Sequence, residues 1–382
     1  MPNQFEILRP VGNRIDTATN NTEPPPFSSF HICFYTSGTA ALAAAILAAS
    51  KLKPDIDKPE VIVPAYGCPD LISAVIHTKA KPILVDLEPD SPQMSFNQLH
   101  KSINNKTIAI IAVRFFGIAD RNEELLKITN QHNLILIEDS AQGFPTTDID
   151  SYWNGDFVVL SFGRGKPVNL LGGGAVLTKS LKLTKLLPSP PAIADSLFEK
   201  VKYKLKLFLY NQSIRPLAYG LISHIPGLHI GQTIYKPLNN LEGMHKHIQS
   251  LLISNLKSYQ TRKTCQKEYK RIFEACDKEK LIDLPSILEH NMSQPLLRYP
   301  ILIKYNSLRN KLYEKLKFYG ASLMYKKPLN QIEGVDKYME QQKKTYPNAT
   351  RFSQQLLTLP THEGVNSKIL KTIERILKED LI

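Results

Sequence analysis

The chain reads as an α/β protein. A mostly parallel sheet flanked by helices occupies its first part, and a smaller α+β unit follows. Three observations predict this. Short, wholly apolar runs alternate with helical stretches of about ten residues, the pattern of crossover units. The runs show little apolar/polar alternation, as expected of strands covered on both faces. Each ends in glycine or polar residues, and in open sheets of this kind ligands sit at the carboxyl ends of the strands.

Residues 1–30 are polar and proline-rich, with Pro24-Pro25-Pro26, and read as an extended arm. Phe30 to Tyr35 is the first strand. Thr36-Ser37-Gly38-Thr39 then opens an alanine-rich helix, Ala40 to Lys51. Strand Val61 to Tyr66 ends at Gly67-Cys68-Pro69 and feeds a helix over 70–79. Strand Pro82 to Leu87, a helix over 95–105, strand Ile108 to Phe116 and helix Asn122 to His132 follow in turn. Leu134 to Ile137 runs into Glu138-Asp139-Ser140-Ala141-Gln142, and Phe157 to Phe162 runs into a glycine-flanked Lys166. The run Gly172-Gly173-Gly174 leads into strand Ala175 to Thr178. These elements make a large domain over 31–240.

Within it, residues 190–240 differ in character. Lysines fall on every second residue from Lys200 to Lys206 among Leu197, Phe198, Val201, Tyr203, Leu205, Leu207, Phe208, Leu209 and Tyr210, which is no clean helical face. The stretch 214–235 is apolar and broken by prolines and glycines. One reading of 195–235 is a surface that touches a membrane or covers the site; the other is a helical insertion packed on its own domain. The remainder, 241–382, reads as a small α+β domain. It has one long polar helix over 245–277, a strand over 296–305, a helix over 307–319 closed by Gly320, and a last helix over 367–377.

Composition bounds the function. The chain has 382 residues, enough for a full core, and 42% hydrophobic with 22% charged residues is ordinary for a globular protein. The net charge of +13 suits acidic ligands or an anionic surface, but no nucleic-acid motif accompanies it, so no nucleic-acid partner is expected. Cys33, Cys68, Cys265 and Cys276 form no CxxC pair, which points away from zinc and disulfides and towards a reducing, cytoplasmic setting; no metal site is expected. No signal peptide is evident and no apolar run is long enough to span a bilayer.

Asp139, Gln142, Ser161 and Lys166 all follow strand ends, so they are candidates for one pocket. A carboxylate and a lysine there are either an ion pair or a pyridoxal phosphate site. In the second case the lysine amine condenses with the cofactor aldehyde, and the carboxylate keeps the pyridine nitrogen protonated. Ser37-Gly38-Thr39 at a helix start is either a phosphate cup or an ordinary N-cap. GRGKP at 163–167 lacks the glycine spacing and the hydroxyl of a P-loop.

Taken together, the motifs resemble the DegT/DnrJ/EryC1/StrS aminotransferases, of the fold-type I pyridoxal phosphate enzymes. The resemblance rests on SGTAAL at 37–42, VIVPAY at 61–66, KPILVDL at 81–87, FFG at 115–117, EDSAQ at 138–142, SFGRGK at 161–166 and LTLPTHEGV at 357–365. It implies a seven-stranded-type sheet and pyridoxal 5'-phosphate as cofactor. Lys166 would bind the cofactor and move the substrate proton, and Asp139 would face the pyridine nitrogen. Gln142 would lie near the phenolic oxygen, and Ser161 with Ser37, Gly38 and Thr39 would hold the phosphate. Lysine at 166 favours amine transfer over the family's dehydratases, which carry histidine there. The implied reaction moves an amino group, usually from glutamate, to a keto-sugar attached to a nucleotide, for polysaccharide or glycoconjugate synthesis. A homodimer is implied as well. The composition of 195–235, not the resemblance, adds the expectation of a cytoplasmic protein that is peripheral to the inner membrane face.

The chain departs from the family pattern in places. Cys68 stands where many members stack an aromatic ring on the cofactor, with Tyr66 a substitute. Leu171-Gly172-Gly173-Gly174 stands where glycine-glutamate-glycine-glycine is usual, without the acid, and Arg114 stands where histidine is common. The segment that reaches the phosphate across the dimer has no clear counterpart near Asn239-Asn240. Arg164 is a cation acting on Lys166, a substrate anchor or a solvated side chain. Other functions consistent with the residues are a different fold-type I reaction on an amino acid or amine, and a weakly active relative that acts as a binding or regulatory partner.

Overall fold

The computed structural model describes residues 6–19, 27–191, 193, 195–225, 233–339 and 344–382. The prolines at 24–26 and the stretch 226–232 lie outside the described residues. Seven strands form the large sheet: β1 (His31–Tyr35), β2 (Glu60–Pro64), β3 (Lys81–Val85), β4 (Thr107–Val113), β5 (Ile135–Asp139), β6 (Phe157–Ser161) and β7 (Gly174–Thr178). Their order is β1-β7-β6-β5-β4-β2-β3. β7 alone runs against its neighbours, and the pairs from β6 to β3 are parallel. The expected mostly parallel, seven-stranded sheet is therefore present.

Side-chain alternation along the strands explains why they read as continuous apolar runs. Val61, Val63, Ile111, Ile137, Val159 and Val176 pack on one face, under α1 (Gly38–Lys51) and α2 (Asp70–His77). Alanine at seven buried α1 positions favours the helix and lets its backbone lie close to the sheet. On the other face Ile62, Ile110 and Leu136 meet Leu99 of α3 (Phe96–Ser102) and Leu125 of α4 (Asn122–Gln131). Farther along that sheet Val158, Leu160, Ala175 and Leu177 cluster with Tyr203, Leu207 and Tyr210. Those three belong to a helix, Leu197–Ser213, so the basic, apolar segment does pack on its own domain. A shorter helix, Pro216–Ser223, follows it.

The second sheet is antiparallel, in the order β10-β9-β8, from β8 (Leu281–Asp283), β9 (Arg298–Ile303) and β10 (Leu356–Pro360). Helices Asn306–Leu316 and Ser367–Leu381 bury Leu312, Leu316, Ile373 and Leu377 against it. Gly320 closes the region after the first of these helices with φ +85°, a conformation that favours glycine.

The long polar helix expected over 245–277 is instead three helices: Lys246–Gln249, Leu252–Gln260 and Gln266–Glu274. Leu252, Leu256 and Tyr259 join the core that covers β6 and β7, whereas Tyr269, Ile272 and Phe273 join the core of the small sheet. The break at 261–265 re-aims the chain from one core to the other. Residues 6–19 carry no helix or strand, yet Leu8 and Ile15 are buried.

Candidate active site

The site forms where β5 and β6 end and α1 begins. Asp139 is the last residue of β5, and Ser161, the last of β6, lies opposite Gly174 of β7. Gly38 touches this corner directly. A Cβ on Gly38 would stand 2.6 Å from Ser161 Cβ and 2.8 Å from Ser161 Oγ. A Cβ on Gly174 would stand 2.4 Å from the Ser37 carbonyl oxygen. The Ser37–Thr39 turn, Ser161 and the glycine run thus meet in one place.

Ser37 is the N-cap of α1; its Oγ accepts from the Ala40 N–H at 3.1 Å. That leaves Gly38 and Thr39, in the first turn, with amides that have no carbonyl partner inside the helix. The positive end of the helix dipole lies at the same point. Ser161 Oγ accepts from the Gly163 N–H at 3.4 Å, which leaves its own proton free to donate.

Lys166 sits in the loop after β6. Gly165, with φ +74°, makes the turn before it, and the Lys166 N–H donates to the Gly163 carbonyl at 3.2 Å. Burial raises the Asp139 carboxyl above the usual range, and the Lys166 cation opposes that shift. Asp139 Oδ1 also accepts from the Ala141 N–H at 3.0 Å. The same lysine acts on Cys68, whose thiol burial pushes up to about 12. The Lys166 charge thus acts on both Asp139 and Cys68, and burial keeps the Cys68 thiol neutral.

Gln142 is buried, and its amide orientation follows from its partners. Oε1 accepts from the Phe116 N–H at 3.1 Å, and Nε2 faces Tyr325 Oη at 3.4 Å. Tyr325 follows the helix Asn306–Leu316 and Gly320, and its hydroxyl acts on the Cys68 thiol. Sequence reasoning missed it, and a tyrosine before Lys326-Lys327 gives no signal of its own. Tyr66 is buried in the core, bonds the Met324 carbonyl, and stacks edge-on to Tyr325 and Phe352 at 5.5 and 4.9 Å. The aromatic ring beside Cys68 is thus Tyr325, with Tyr66 behind it.

Other singled-out residues fall outside the pocket. Arg114 forms a buried ion pair with Glu138 at 2.5 Å, and its guanidinium lies 4.1 Å over the Tyr152 ring. Glu138 and Asp139 are adjacent, so their side chains point to opposite faces of the sheet. Arg164 is exposed, and its charge acts on Lys206 and Tyr210 of the helix Leu197–Ser213. Leu171 adopts φ +57°, and its carbonyl accepts from Lys206 Nζ at 3.3 Å.

The donor set fits pyridoxal 5'-phosphate. It offers amides and a hydroxyl for a phosphate, an amine for an aldehyde, a half-buried carboxylate for a ring nitrogen, and an amide N–H for a phenolic oxygen.

The sequence profile of the DegT/DnrJ/EryC1/StrS aminotransferase family matches residues 29–188 and 252–378, passing over the helix Leu197–Ser213. The GDP-perosamine synthase of Escherichia coli O157:H7 is 33% identical over 150 residues, which are 39% of this chain and 40% of that protein. The lipopolysaccharide biosynthesis protein RfbH of Salmonella typhimurium is 31% identical over 165 residues, 42% of this chain and 38% of that one. These curated relatives are matched over 40% of their length or less. Among solved structures, Helicobacter pylori PseC, an aminotransferase involved in the biosynthesis of pseudoaminic acid, superposes with TM-score 0.66 at 20% identity, over 92% of this chain and 86% of that one. Bacillus subtilis NtdA with bound cofactor PMP gives TM-score 0.65 at 18% identity, over 91% and 73%. At such identities the structural likeness is one of fold, that of the fold-type I aminotransferases. The profile match, which takes in the site corner and both sheets, carries the assignment: the chain belongs to the DegT/DnrJ/EryC1/StrS aminotransferase family.

Proposed function

We propose that this chain is a pyridoxal 5'-phosphate-dependent aminotransferase that takes an amino group from glutamate and delivers it to a nucleotide-linked keto-sugar, in polysaccharide or glycoconjugate synthesis. The carrying observation is the Lys166 amine acting on the half-buried Asp139 carboxyl, on the strand next to the one that ends at Ser161 and the α1 N-terminus. Relatives named for perosamine and lipopolysaccharide synthesis support the sugar substrate.

Bound there, the cofactor supplies an aldehyde for the amine and a ring that draws electrons from the substrate carbon. Lys166 holds it through Nζ, and the same amine carries the proton that moves during transfer. Asp139 accepts from the ring nitrogen. Burial makes a lone carboxylate costly there, so a protonated nitrogen is the favoured partner. Gly38, Thr39 and Ser161 bind the phosphate, while Ser37 Oγ orders the helix start. Gln142, whose Oε1 is fixed by the Phe116 N–H, would offer Nε2 to the phenolic oxygen, and Cys68 with Tyr325 would border the ring.

The purified protein is expected to bind the cofactor and absorb in the visible, and glutamate should shift that absorbance. Lys166→Ala should abolish the shift and lower turnover with keto-sugars by several orders of magnitude. Protein that takes up no cofactor overturns the proposal. A shift with glutamate but no aminated sugar would move the substrate to another amine acceptor.

The active unit is a homodimer, as in the family resemblance; sedimentation equilibrium giving the mass of a single chain would remove this. The same proposal includes peripheral contact with the inner face of a membrane through 195–235. Among the described residues no helix is long and apolar enough to cross one. Support for surface contact comes from Leu197, Phe198, Val201, Leu205, Phe208 and Leu209, each more than half exposed on a single helix. The four cysteines, all free, agree with a reducing compartment.

A further inference from the structure

Asp195 stands two residues before the helix Leu197–Ser213, and His245 and His247 stand 50 and 52 residues later, where the chain leaves that segment. The three side chains converge. Asp195 Oδ1 lies 3.1 Å from His245 Nδ1 and 2.8 Å from His247 Nδ1. All three donor atoms lie within 4.8 Å of one another. The second carboxylate oxygen, Oδ2, accepts from the His247 N–H at 2.9 Å, which fixes the carboxylate with Oδ1 toward both rings. Tyr203 packs edge-on to His247, with ring centroids 5.1 Å apart.

We propose that Asp195, His245 and His247 form a binding site for a divalent transition metal, with Zn²⁺ the fitting ion. Metal–nitrogen and metal–oxygen bonds near 2.0–2.2 Å in a tetrahedron place neighbouring donors about 3.3 Å apart. The two observed carboxylate–imidazole spacings are within half an ångström of that, and the two Nδ1 atoms lie within 4.8 Å of each other, so seating the ion draws the two rings together. Two imidazoles with one carboxylate select zinc and its neighbours over magnesium or calcium, which prefer oxygen. In the metal form each neutral ring carries its proton on Nε2, freeing the Nδ1 lone pair. The carboxylate held by a backbone N–H supplies the ordering that metal sites commonly draw from their surroundings. Water fills the fourth position. The three ligands close a loop of about fifty residues, so bound metal pins both ends of the segment whose apolar helix face is exposed. The scattered cysteines gave no zinc pattern; the ligand set here is an imidazole pair in H-x-H.

The test uses the full-length, cofactor-loaded protein without a histidine tag, titrated with Zn²⁺ against a chromogenic chelator. One equivalent per chain should bind with a micromolar or tighter Kd, and Zn²⁺ should raise the thermal midpoint. Asp195→Asn and His247→Gln should each weaken binding by about tenfold or more. Their thermal midpoints in chelator should match wild type to within a few degrees, which separates lost binding from misfolding. Less than one equivalent bound at about 100 µM Zn²⁺, or equal affinity in wild type and both variants, overturns the proposal.

Discussion

Gly38 has no room for a side chain. Its Cα sits against Ser161, so Gly38→Ala forces a methyl within 2.6 Å of Ser161 Cβ. Serine is short and ends a buried strand, so it has little room to give. The substitution should cost about 1–3 kcal/mol of stability and weaken cofactor binding at least about tenfold, because the Gly38 amide and the Ser161 hydroxyl move apart. Gly172→Ala is the control, since nothing lies within 4 Å of a Cβ there and its φ is ordinary. Absorbance titration of the cofactor and thermal melts of both variants check this; equal loss in the two would remove the close-approach argument. At this scale the sequence was legible where a residue type has one chemical use. Ser161 at the end of β6 meets Gly38, and the Lys166 charge acts on Asp139 at the end of β5. It was not legible where the partner is distant. Arg114, flagged for standing where histidine is common, is tied to Glu138, and Tyr325 acts on Cys68 from far along the chain.

The helix Leu197–Ser213 shows why alternating lysines hid a regular face. At 100° per residue, Leu197, Phe198, Val201, Leu205, Phe208 and Leu209 fall in an arc of about 120°. Lys204 and Lys200 flank one edge of that arc, and Lys202 and Lys206 the other. Tyr203, Leu207 and Tyr210 point the opposite way, into the core beneath. The helix is apolar on two faces, so no single stripe stands out when hydrophobicity is summed; only the packing tells the buried face from the exposed one. An exposed apolar arc edged by lysines suits an anionic bilayer surface, where the lysine stems lie on the apolar layer and the ammonium groups reach the headgroups. A second copy of the same face would bring lysine edges together, which disfavours it as the occupant. Vesicles containing phosphatidylserine or phosphatidylglycerol should float the protein, and pure phosphatidylcholine vesicles should do so far less. Leu205→Glu with Phe208→Glu should weaken flotation at least about tenfold while leaving the melting temperature nearly unchanged, since neither side chain is buried. Equal flotation of the double variant and wild type would exclude this face. The same helix is sewn to the active-site loop: Tyr203 Oη donates to the Leu170 carbonyl at 2.7 Å and Lys206 Nζ to that of Leu171. The exposed apolar face and the loop after β6 therefore share one helix.

Across the whole molecule, crossover alternation was enough to read the large sheet, because each parallel connection needs its own helix. The joining of the parts was not, because it depends on the stretch 6–19, which has no periodicity. Leu8 N–H bonds the Phe318 carbonyl, Ile7 N–H the Pro216 carbonyl, and Ile15 N–H the Asn211 side chain. Arg9 ties the arm to Glu363 at 2.9 Å and to the Ile214 carbonyl at 3.0 Å. His362 completes the junction. Its Nε2 donates to the Arg9 carbonyl at 2.8 Å, and its Nδ1 accepts from the Gly364 N–H at 3.0 Å, so the ring is held neutral. Burial, with the Arg9 cation adding to it, lowers its pKa to about 3 from an ordinary 6.5. The sign follows. Above pH 6.5 neither folded nor unfolded His362 binds a proton, and the ring has no effect on pH dependence. Between 6.5 and 3 the unfolded chain takes up a proton that the folded chain refuses, so stability falls as pH falls, approaching about 1.4 kcal/mol per unit. From pH 7 to pH 5 this one ring should remove about 2 kcal/mol. His362→Gln lowers stability at every pH by loosening the junction, but it deletes that slope. Urea unfolding of both proteins at pH 7 and pH 5 isolates the ring, because all other titrating groups are common to the pair. The wild-type loss should exceed the variant's by about 2 kcal/mol. Equal losses would mean that His362 takes its proton in the folded state and that the junction opens before the cores do.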